Sequence, residues 1–509
     1  MSKYDLVLAG GRVIDPETQL DAVRNVGIIG HTIAAVSEET LEGSVSIDVG
    51  GLVVAPGFID PHSHSNQYLP TMRAMVLDGI TTALDLEAGG SPGTAGYDKA
   101  EREGRPINFG FAANWAEIRC RVLGGVGGDG TIGGLSKLMA NATPRQLGLA
   151  TEQETKQITE MISDEIDGGA LGIGILLGYL PDAGHDEYYD ITALAAEKDV
   201  VTFTHSRTSF NVIEPKAAYE GAAEIVAAAA GTGAHVHYCH INSTSSRAIG
   251  RVLDLVSGAR ERGVRITTEA YPWGAASTVI GAAYLAPETL PQKLIKSTDI
   301  EYIRTGERVA TNERLEELRA QDPGGPCIIH FLDESNSDDL ELIRKALLFP
   351  GGSLCTDGLP YQVGAEFLEG VGNWPVPEEA TCHPRTVGTY AKLLGQCVRN
   401  WGWMSLSDAI GRGSLAPAQI LEESVPAMRK KGRVSVGADA DIIVFDPETV
   451  DCRATYKNPR KTSVGFRHVI VNGEFVLRDS ELILDAMPGR AIRRTTLTTS
   501  TFGSEPSHA

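Results

Sequence analysis

Between about residues 57 and 415 the sequence alternates between short apolar runs and longer helix-like stretches. The apolar runs include GITTALDLE, PINFGFAAN, VVTFTHS and HVHYCHI, and stretches such as EQETKQITEMISDEID and SRAIGRVLDLVSGARERG separate them. This alternation is typical of βα units, whose strands form a parallel sheet. Eight candidate strands follow one another from PGFIDPHSH onwards. The number predicts an α/β fold of the (β/α)8 TIM-like barrel type. Because no GxGxxG follows the first strand, a dinucleotide-binding sheet is disfavoured.

The sequence pattern at the two ends of the chain differs from that of the middle. The first 55 residues contain short strand-like runs with turn signals, and GRVSVG, ADIIVFD and RHVIVNGEFVL repeat this pattern near the C-terminus. We therefore predict a small β-sandwich domain built from both termini, residues 1–56 and 416–490. The barrel is expected between them, over residues 57–415.

Two further segments are expected to have special roles. The run from about 284 to 350 is long for a single βα connection, and we predict that it covers the active site as a lid. The polar and aperiodic stretch 491–509 is predicted to be a flexible tail.

Composition narrows the possible partners. The 509 residues contain 45 lysines and arginines against 66 aspartates and glutamates, a net charge of −21. This charge predicts no nucleic-acid partner. No apolar run is long enough to span a membrane and no signal-peptide core is present at the start, so we expect no membrane association. Seven scattered cysteines without a CxxC pattern favour a cytoplasmic location. A small-molecule substrate is expected, and a homo-oligomer remains open.

Polar residues follow several of the predicted strands at the point where each strand ends. A single HxH motif fits a metal site, but it also fits two polar residues at the end of a buried strand. In (β/α)8 barrels the carboxyl ends of all strands meet at one face, where the chemistry takes place. The convergence of these polar residues at one face therefore favours a metal centre. The residues are His62 and His64 after strand 1, Asp85 and Glu87 after strand 2, His205 after strand 5, His240 after strand 6, Glu269 and Tyr271 after strand 7, and Asp357 after strand 8.

The same residues carry a resemblance to a known family. PGFIDPHSH, GITTALDLEAG, THSRT, HYCHINST, EAYPWGAAST, CTDGLP and HPRTVGTY resemble the amidohydrolase superfamily. More narrowly, the chain resembles the N-acyl-D-amino-acid deacylases, including the D-glutamate deacylases. The resemblance extends from about residue 4 to 480.

This resemblance implies a zinc centre of one or two ions. It implies His62, His64, His205 and His240 as zinc ligands and Asp357 as the general base. The sequence departs from the family at three places, two of which concern the metal site. Strand 4, GALGIGILLG, has no lysine to bridge two metals, and alanine stands near the position of the branch's cysteine after strand 2. We infer that Glu87 supplies the bridging or additional ligand. The alternative is that Glu87 only hydrogen-bonds a ligand histidine.

Further residues match the family's substrate-binding motifs. Tyr271 and Ser277 fit its YPxxxxS region, and Arg385 fits its HPR motif. Tyr271 is the candidate donor to the developing oxyanion, and Arg385 is the candidate clamp for an α-carboxylate. Packing and a structural salt bridge are the respective alternatives. Asn242 stands where the branch has a lysine, and we predict Arg207 and Asn242 as partners of a polar substrate side chain.

The resemblance therefore implies zinc-dependent hydrolysis of the amide bond of N-acyl-D-amino acids, with N-acyl-D-glutamate as one candidate. The products are a carboxylate and a free D-amino acid. A hydantoinase-like hydrolase of cyclic amides is the alternative, although the missing lysine of strand 4 speaks against it. A catalytically inactive scaffold on the same fold is a third hypothesis. Retention of all four histidines and Asp357 disfavours it.

Overall fold

The central element is a parallel sheet that curves into a barrel. The computed structural model of the protein describes residues 3–125, 141–213, 215 and 217–494. Eight strands, here called barrel strands 1 to 8, are neighbours in the sheet in the same order as in the chain. They are Phe58–Asp60, Ile80–Gly90, Asn108–Asn114, Gly172–Leu176, Val201–His205, His235–Tyr238, Ile266–Ala270 and Gly352–Leu354.

The sheet closes through the residues that follow its first and last strands. Ser63 and Gly358 form a parallel bridge, and the backbone N–H of Asp357 donates to the carbonyl of His62 at 2.8 Å. Every residue of barrel strand 4 is buried, as expected when helices cover the outside of a parallel sheet. The predicted (β/α)8 barrel is confirmed.

Helices follow most barrel strands and bury one face each. Glu152–Asp167 shows how the sequence sets such a helix: Thr151 and Glu154 form a capping box at its start, and Ile158, Ile162 and Ile166 repeat at a spacing of four and are buried. The described α-helices are Leu69–Val76, Gly93–Glu103, Trp115–Gly124, Pro144–Leu147, Glu152–Asp167, His185–Glu197, Ala218–Thr232, Ile241–Ser245, Ile249–Glu261, Asn312–Gln321, Ser337–Leu347, Arg385–Lys392, Leu406–Gly413 and Leu415–Leu421, with a π-helical stretch at Leu393–Asn400. None of the described helices combines the length and apolarity needed to cross a membrane.

A second, nine-stranded sheet is formed by strands from both ends of the chain. Its strands are Tyr4–Asp15, Leu20–Ile29, Thr32–Ser37, Gly43–Asp48, Val53–Pro56, Ile442–Phe445, Phe466–Val471, Glu474–Arg478 and Glu481–Leu482. The long first strand pairs antiparallel with the second and parallel with the fourth and fifth. An apolar cluster that includes Leu8, Val26, Ile442 and Ile470 forms its core.

The connection between barrel strands 7 and 8 carries a small sheet of its own. It contains Ala275–Val279, Ile300–Tyr302, Glu307–Arg308 and Pro326–His330. A separate hairpin of Gln362–Val363 and Glu366–Phe367 follows barrel strand 8.

The end of the described chain runs along the barrel. Ile492 donates its backbone N–H to the carbonyl of Phe109 at 2.8 Å, and Arg494 donates to that of Gly169 at 3.1 Å. Residues 491–494 of the predicted tail are therefore packed, and residues 495–509 lie outside the described part of the chain.

Candidate metal centre and active site

The two histidines after barrel strand 1 lie next to each other in a buried position. Nε2 of His62 is 3.2 Å from Nε2 of His64. The pleat places alternate side chains on one side, so both rings reach the same space at the mouth of the barrel. Because this places the two Nε2 atoms side by side, they can serve a single ion.

Glu87, from the end of barrel strand 2, lies between two pairs of histidines. Its Oε2 atom is 3.1 Å from Nε2 of His62 and 3.7 Å from Nε2 of His64. Its Oε1 atom is 2.7 Å from Nε2 of His240 and 3.0 Å from Nδ1 of His205. Each carboxylate oxygen therefore faces a different histidine pair, which is the arrangement of a carboxylate that bridges two metal ions.

Asp357 faces the first histidine pair. Its Oδ1 atom lies 3.6 Å from Nε2 of both His62 and His64, and its Oδ2 atom accepts an ion pair from Arg385 at 2.9 Å. The backbone of Asp357 has a φ of 49°, in the left-handed region that aspartate tolerates better than most residues. This turn directs the carboxylate inward, and its N–H holds the backbone of His62.

Glycines in and after barrel strand 4 make room for these ligands. A Cβ atom at Gly174 would lie 2.2 Å from the carbonyl oxygen of Glu87, and one at Gly178 would lie 2.5 Å from Cδ2 of His205. These contacts are closer than real Cβ atoms make. Barrel strand 4 therefore leaves space for the ligands and contributes no lysine. The carboxylate between the histidine pairs is that of Glu87, from barrel strand 2.

Two further carboxylates orient the histidines from outside. Oε1 of Glu269 lies 2.5 Å from Nδ1 of His62 and accepts the backbone N–H of His240 at 3.1 Å. His240 has a φ of 28°, so Glu269 also holds a strained turn. Asp85 lies 3.3 Å from Nδ1 of His64. These contacts leave the Nε2 atoms of His62 and His64 facing the cavity. The sequence predicted that Glu269 and Asp85 follow barrel strands, but nothing in it indicated which histidines they contact.

The charges of the cluster favour a cation. Burial disfavours the Glu87 carboxylate, but His62, His240 and His205 together hold its pKa well below the usual value. Burial also opposes protonation of His64, but Asp85 and Asp357 outweigh it and raise the pKa of His64 to about 10. A field that stabilises bound protons so strongly also stabilises a divalent ion in their place.

The donor set fits a metal such as zinc. Within the described residues, His62, His64 and Asp357 form one group of close ligand atoms, and His62, Glu87 and His240 form another. Imidazole nitrogen and carboxylate oxygen are ligands that zinc accepts. His62, His64, Glu87 and Asp357 would hold one ion, and Glu87 with His205 and His240 would hold a second.

A cavity opens above this cluster. Its described lining combines polar residues of the cluster with apolar side chains, and it includes Ser277, which was predicted to bind substrate. Ser277 and its neighbours Ala276, Thr278 and Val279 belong to the small sheet between barrel strands 7 and 8. From the predicted lid over 284–350, Tyr284 lines the cavity.

Tyr271 and Arg385 lie directly behind this lining. The guanidinium carbon of Arg385 is 4.6 Å from the ring centre of Tyr271, and Nη2 donates to the carbonyl of Ser277 at 3.4 Å. Within the described residues, the hydroxyls of Tyr271 and Ser277 and the Nε and Nη1 atoms of Arg385 are buried without a hydrogen-bond partner. Unpartnered buried donors on three residues in mutual contact can hydrogen-bond an anionic group.

The structure does not bring Asn242 and Arg207 to the cavity as predicted. Nδ2 of Asn242 donates to the carbonyl of Tyr271 at 3.1 Å, which makes the amide a support for that turn. Arg207 pairs with Glu224 at 2.7 Å and donates to the carbonyls of Pro181 and Ala183. These bonds hold the guanidinium of Arg207 away from the described lining of the cavity.

The barrel, the cluster of four histidines and two carboxylates, and the adjoining cavity are the features of a metal-dependent hydrolase. The sequence profile of the amidohydrolase family matches residues 46–126. An N-acyl-D-glutamate deacylase of Alcaligenes xylosoxydans xylosoxydans is 27% identical over 97% of each chain, and a D-aminoacylase of the same organism is 25% identical over 97% of this chain and 98% of its own. The predicted resemblance to the amidohydrolases and their N-acyl-D-amino-acid deacylase branch is confirmed.

A solved structure supports the same fold. The N-acyl-D-glutamate deacylase of Bordetella bronchiseptica, solved with zinc and a phosphonate inhibitor that mimics the tetrahedral intermediate, has a TM-score of 0.73 to this chain. The match covers 96% of this chain and 100% of the other, at 24% sequence identity. At this identity the likeness shows the shared architecture.

Proposed function

We propose that the protein hydrolyses the amide bond of N-acyl-D-amino acids and releases a carboxylate and a free D-amino acid. The observation that carries the proposal is the arrangement around Glu87, which separates His62 and His64 from His205 and His240 beneath a cavity. The preference for the D form is supported by the deacylase relatives alone. The amide hydrolysis is supported both by those relatives and by the geometry of the site.

We propose zinc as the metal, because the ligands are imidazoles and carboxylates and because one solved relative contains zinc. When bound, the metal supplies a Lewis acid that makes water a better nucleophile near neutral pH and polarises the scissile carbonyl. Asp357 then acts as the general base. It takes a proton from the attacking water at Oδ1 and passes it to the leaving nitrogen.

The surroundings of Asp357 suit this role. Arg385 engages Oδ2 at 2.9 Å, so Oδ1 remains directed at the histidine pair where the water attacks. The positive charge of Arg385 and the neighbouring histidines outweigh burial and lower the pKa of Asp357, so its carboxylate is ionised and ready to accept a proton.

The unpartnered donors would hold the α-carboxylate of the substrate. Nε and Nη1 of Arg385 lie on different edges of the guanidinium, and each provides a donor for a carboxylate oxygen; the hydroxyls of Tyr271 and Ser277 are also unpartnered. The substrate would reach them past Ser277, which lines the cavity. In this arrangement Tyr271 also remains the candidate donor to the oxyanion.

A substrate panel tests the proposal. Zinc-loaded protein would be incubated with N-acetyl and N-formyl derivatives of D- and L-amino acids, and free amine would be measured together with bound zinc. Cleavage of D derivatives, at least about 100-fold faster than of L derivatives, is expected. Bound zinc without cleavage of any open-chain substrate would contradict the proposal and favour cyclic amides, which the hydantoinase-like alternative would cleave.

A further inference from the structure

We infer that the cavity selects an N-acyl-D-amino acid with an uncharged, largely apolar side chain and rejects derivatives of D-glutamate and D-aspartate. This inference rests on the proposed function and specifies its substrate class. It departs from the glutamate candidate drawn from the sequence and from the glutamate deacylase among the relatives.

The walls of the cavity carry no basic side chain beyond the histidines of the metal cluster, within the part of the chain that the structure describes. The apolar wall of the cavity is made of Leu176, Tyr179, Phe210, Tyr284, Leu359 and Phe367, of which Tyr179 and Tyr284 lie against the ring of His205. Aromatic rings of Tyr179, Phe210 and Tyr284 pack against one another with centres 5.7 and 5.8 Å apart. Such a wall offers dispersion and apolar burial to a side chain but no counter-charge.

The hydroxyl groups in this wall already pair with one another. The hydroxyls of Tyr179 and Thr278 are 2.9 Å apart, and those of Thr278 and Tyr284 are 2.7 Å apart. Ser209 contacts Nε2 of His205 at 3.1 Å. The two bonds among Tyr179, Thr278 and Tyr284 use two of their three hydroxyl hydrogens, so these residues offer a carboxylate one free donor and no positive charge, whereas an apolar group leaves the bonds intact.

The two residues predicted to bind a polar substrate side chain are also accounted for. Arg207 is held by Glu224 and two carbonyls, and Asn242 supports the turn at Tyr271. Among the described residues behind the cavity lining, Arg385 has unpartnered donors, and the α-carboxylate of any amino acid would take them. A second carboxylate on the substrate would therefore remain unpaired.

A second carboxylate would also lose its hydration on entering the cavity. An unpaired negative charge in a buried cavity whose described lining offers no basic side chain is disfavoured for that reason. The pocket thus discriminates by charge, and glutamine, which has the shape of glutamate without its charge, is the matched comparison.

The test compares kcat/KM of the zinc-loaded protein for the N-acetyl derivatives of D-leucine, D-phenylalanine, D-glutamine and D-glutamate. We expect D-leucine and D-phenylalanine to be the best substrates and D-glutamine to exceed D-glutamate by about 100-fold or more. Equal or better cleavage of the D-glutamate derivative would overturn the inference. If none of the four is cleaved, the proposed function fails, and competition between the D-leucine and D-glutamate derivatives for binding, measured by calorimetry, still decides the selectivity.

A substitution that adds a positive charge to the cavity tests whether charge sets this selectivity. Phe367 is half-buried at the cavity rim, so Phe367→Arg can keep its charged head partly in water. We expect this substitution to reduce the ratio of D-glutamine to D-glutamate cleavage at least about tenfold. The matched control Phe367→Gln removes the ring without adding charge and should leave the ratio near its original value. An unchanged ratio in Phe367→Arg, with zinc content retained, would contradict the role assigned to charge.

Discussion

Oε1 of Glu87 lies 2.7 Å from Nε2 of His240. The other oxygen of the same carboxylate lies 3.1 Å from Nε2 of His62, which follows a different barrel strand. A single side chain therefore links two histidine pairs that are far apart in the sequence. This link explains how a barrel without a lysine in strand 4 still brings a bridging ligand to its centre.

Removing the charge of Glu87 should prevent the two histidine pairs from holding two bridged zinc ions. For Glu87→Gln we expect bound zinc to fall by about one ion per chain, because an amide bridges two cations poorly. Metal content after gel filtration measures this loss. Glu165→Gln, which replaces a partly buried acid that accepts a backbone N–H from Gly93, is the control and should keep its zinc. Unchanged zinc in Glu87→Gln would support the alternative that Glu87 only hydrogen-bonds a ligand.

Glu269 should matter although it faces away from the cavity. It fixes Nδ1 of His62 and the backbone of His240. We expect Glu269→Gln to weaken zinc binding by about 10- to 100-fold, the usual effect of losing such a partner. Competition with a chelator of known affinity measures it. Zinc affinity equal to that of the unaltered protein would show that the two histidines keep their positions without this carboxylate.

Gly178 should be intolerant of a side chain. The added methyl group of Gly178→Ala would press on the ring of His205. We expect loss of zinc from the His205–His240 side and a fall in activity of at least about tenfold. Gly250→Ala is the control, because a Cβ there meets nothing within 4 Å. If Gly178→Ala retained full zinc and activity, the ring of His205 would not be confined as described.

Arg385 should bind the substrate carboxylate rather than only stabilise the fold. The measurement is the ratio of kcat/KM for N-acetyl-D-leucine to that for its neutral carboxamide. We expect a strong preference for the acid in the original protein and a loss of about 100-fold in that preference in Arg385→Gln. A structural role would lower both values equally and leave the ratio unchanged.

His235 should make the fold sensitive to acid. Burial, followed by the nearby positive groups, lowers the pKa of His235 to about 3. In the unfolded chain the pKa is about 6.5, so between these values the unfolded state binds the extra proton. Stability present above pH ~6.5 is therefore lost as the pH falls, by up to about 1.4 kcal/mol per pH unit from this group.

The substitution His235→Gln isolates this contribution. Glutamine can keep a bond to Thr267, which lies 3.0 Å from Nε2 of His235. The free energy of unfolding would be measured for both proteins by urea denaturation from pH 7 to pH 4. As the pH falls, it should decrease less in His235→Gln than in the original protein. A difference that stays constant over this range would show that His235 does not titrate as described.

The sequence predicted much of the barrel and located the cluster, because strand ends in a parallel barrel must meet at one face. His62, His64, Glu87, His205, His240 and Asp357 lie together in the structure for that reason. Other contacts depend on side-chain directions that spacing does not reveal. Arg207, two residues after His205, turns away to Glu224, and Glu269 turns behind His62 although the sequence gave it no role.

The most direct test of the account is reconstitution of the metal-free protein. Zinc would be removed with a chelator and returned in steps while bound metal and cleavage of N-acetyl-D-leucine are both followed. We predict that the metal-free protein is inactive, that activity returns as zinc binds, and that Asp357→Asn binds zinc while losing at least about 100-fold in kcat. Full activity without metal, or failure of the four histidines to bind any zinc, would contradict the central claim.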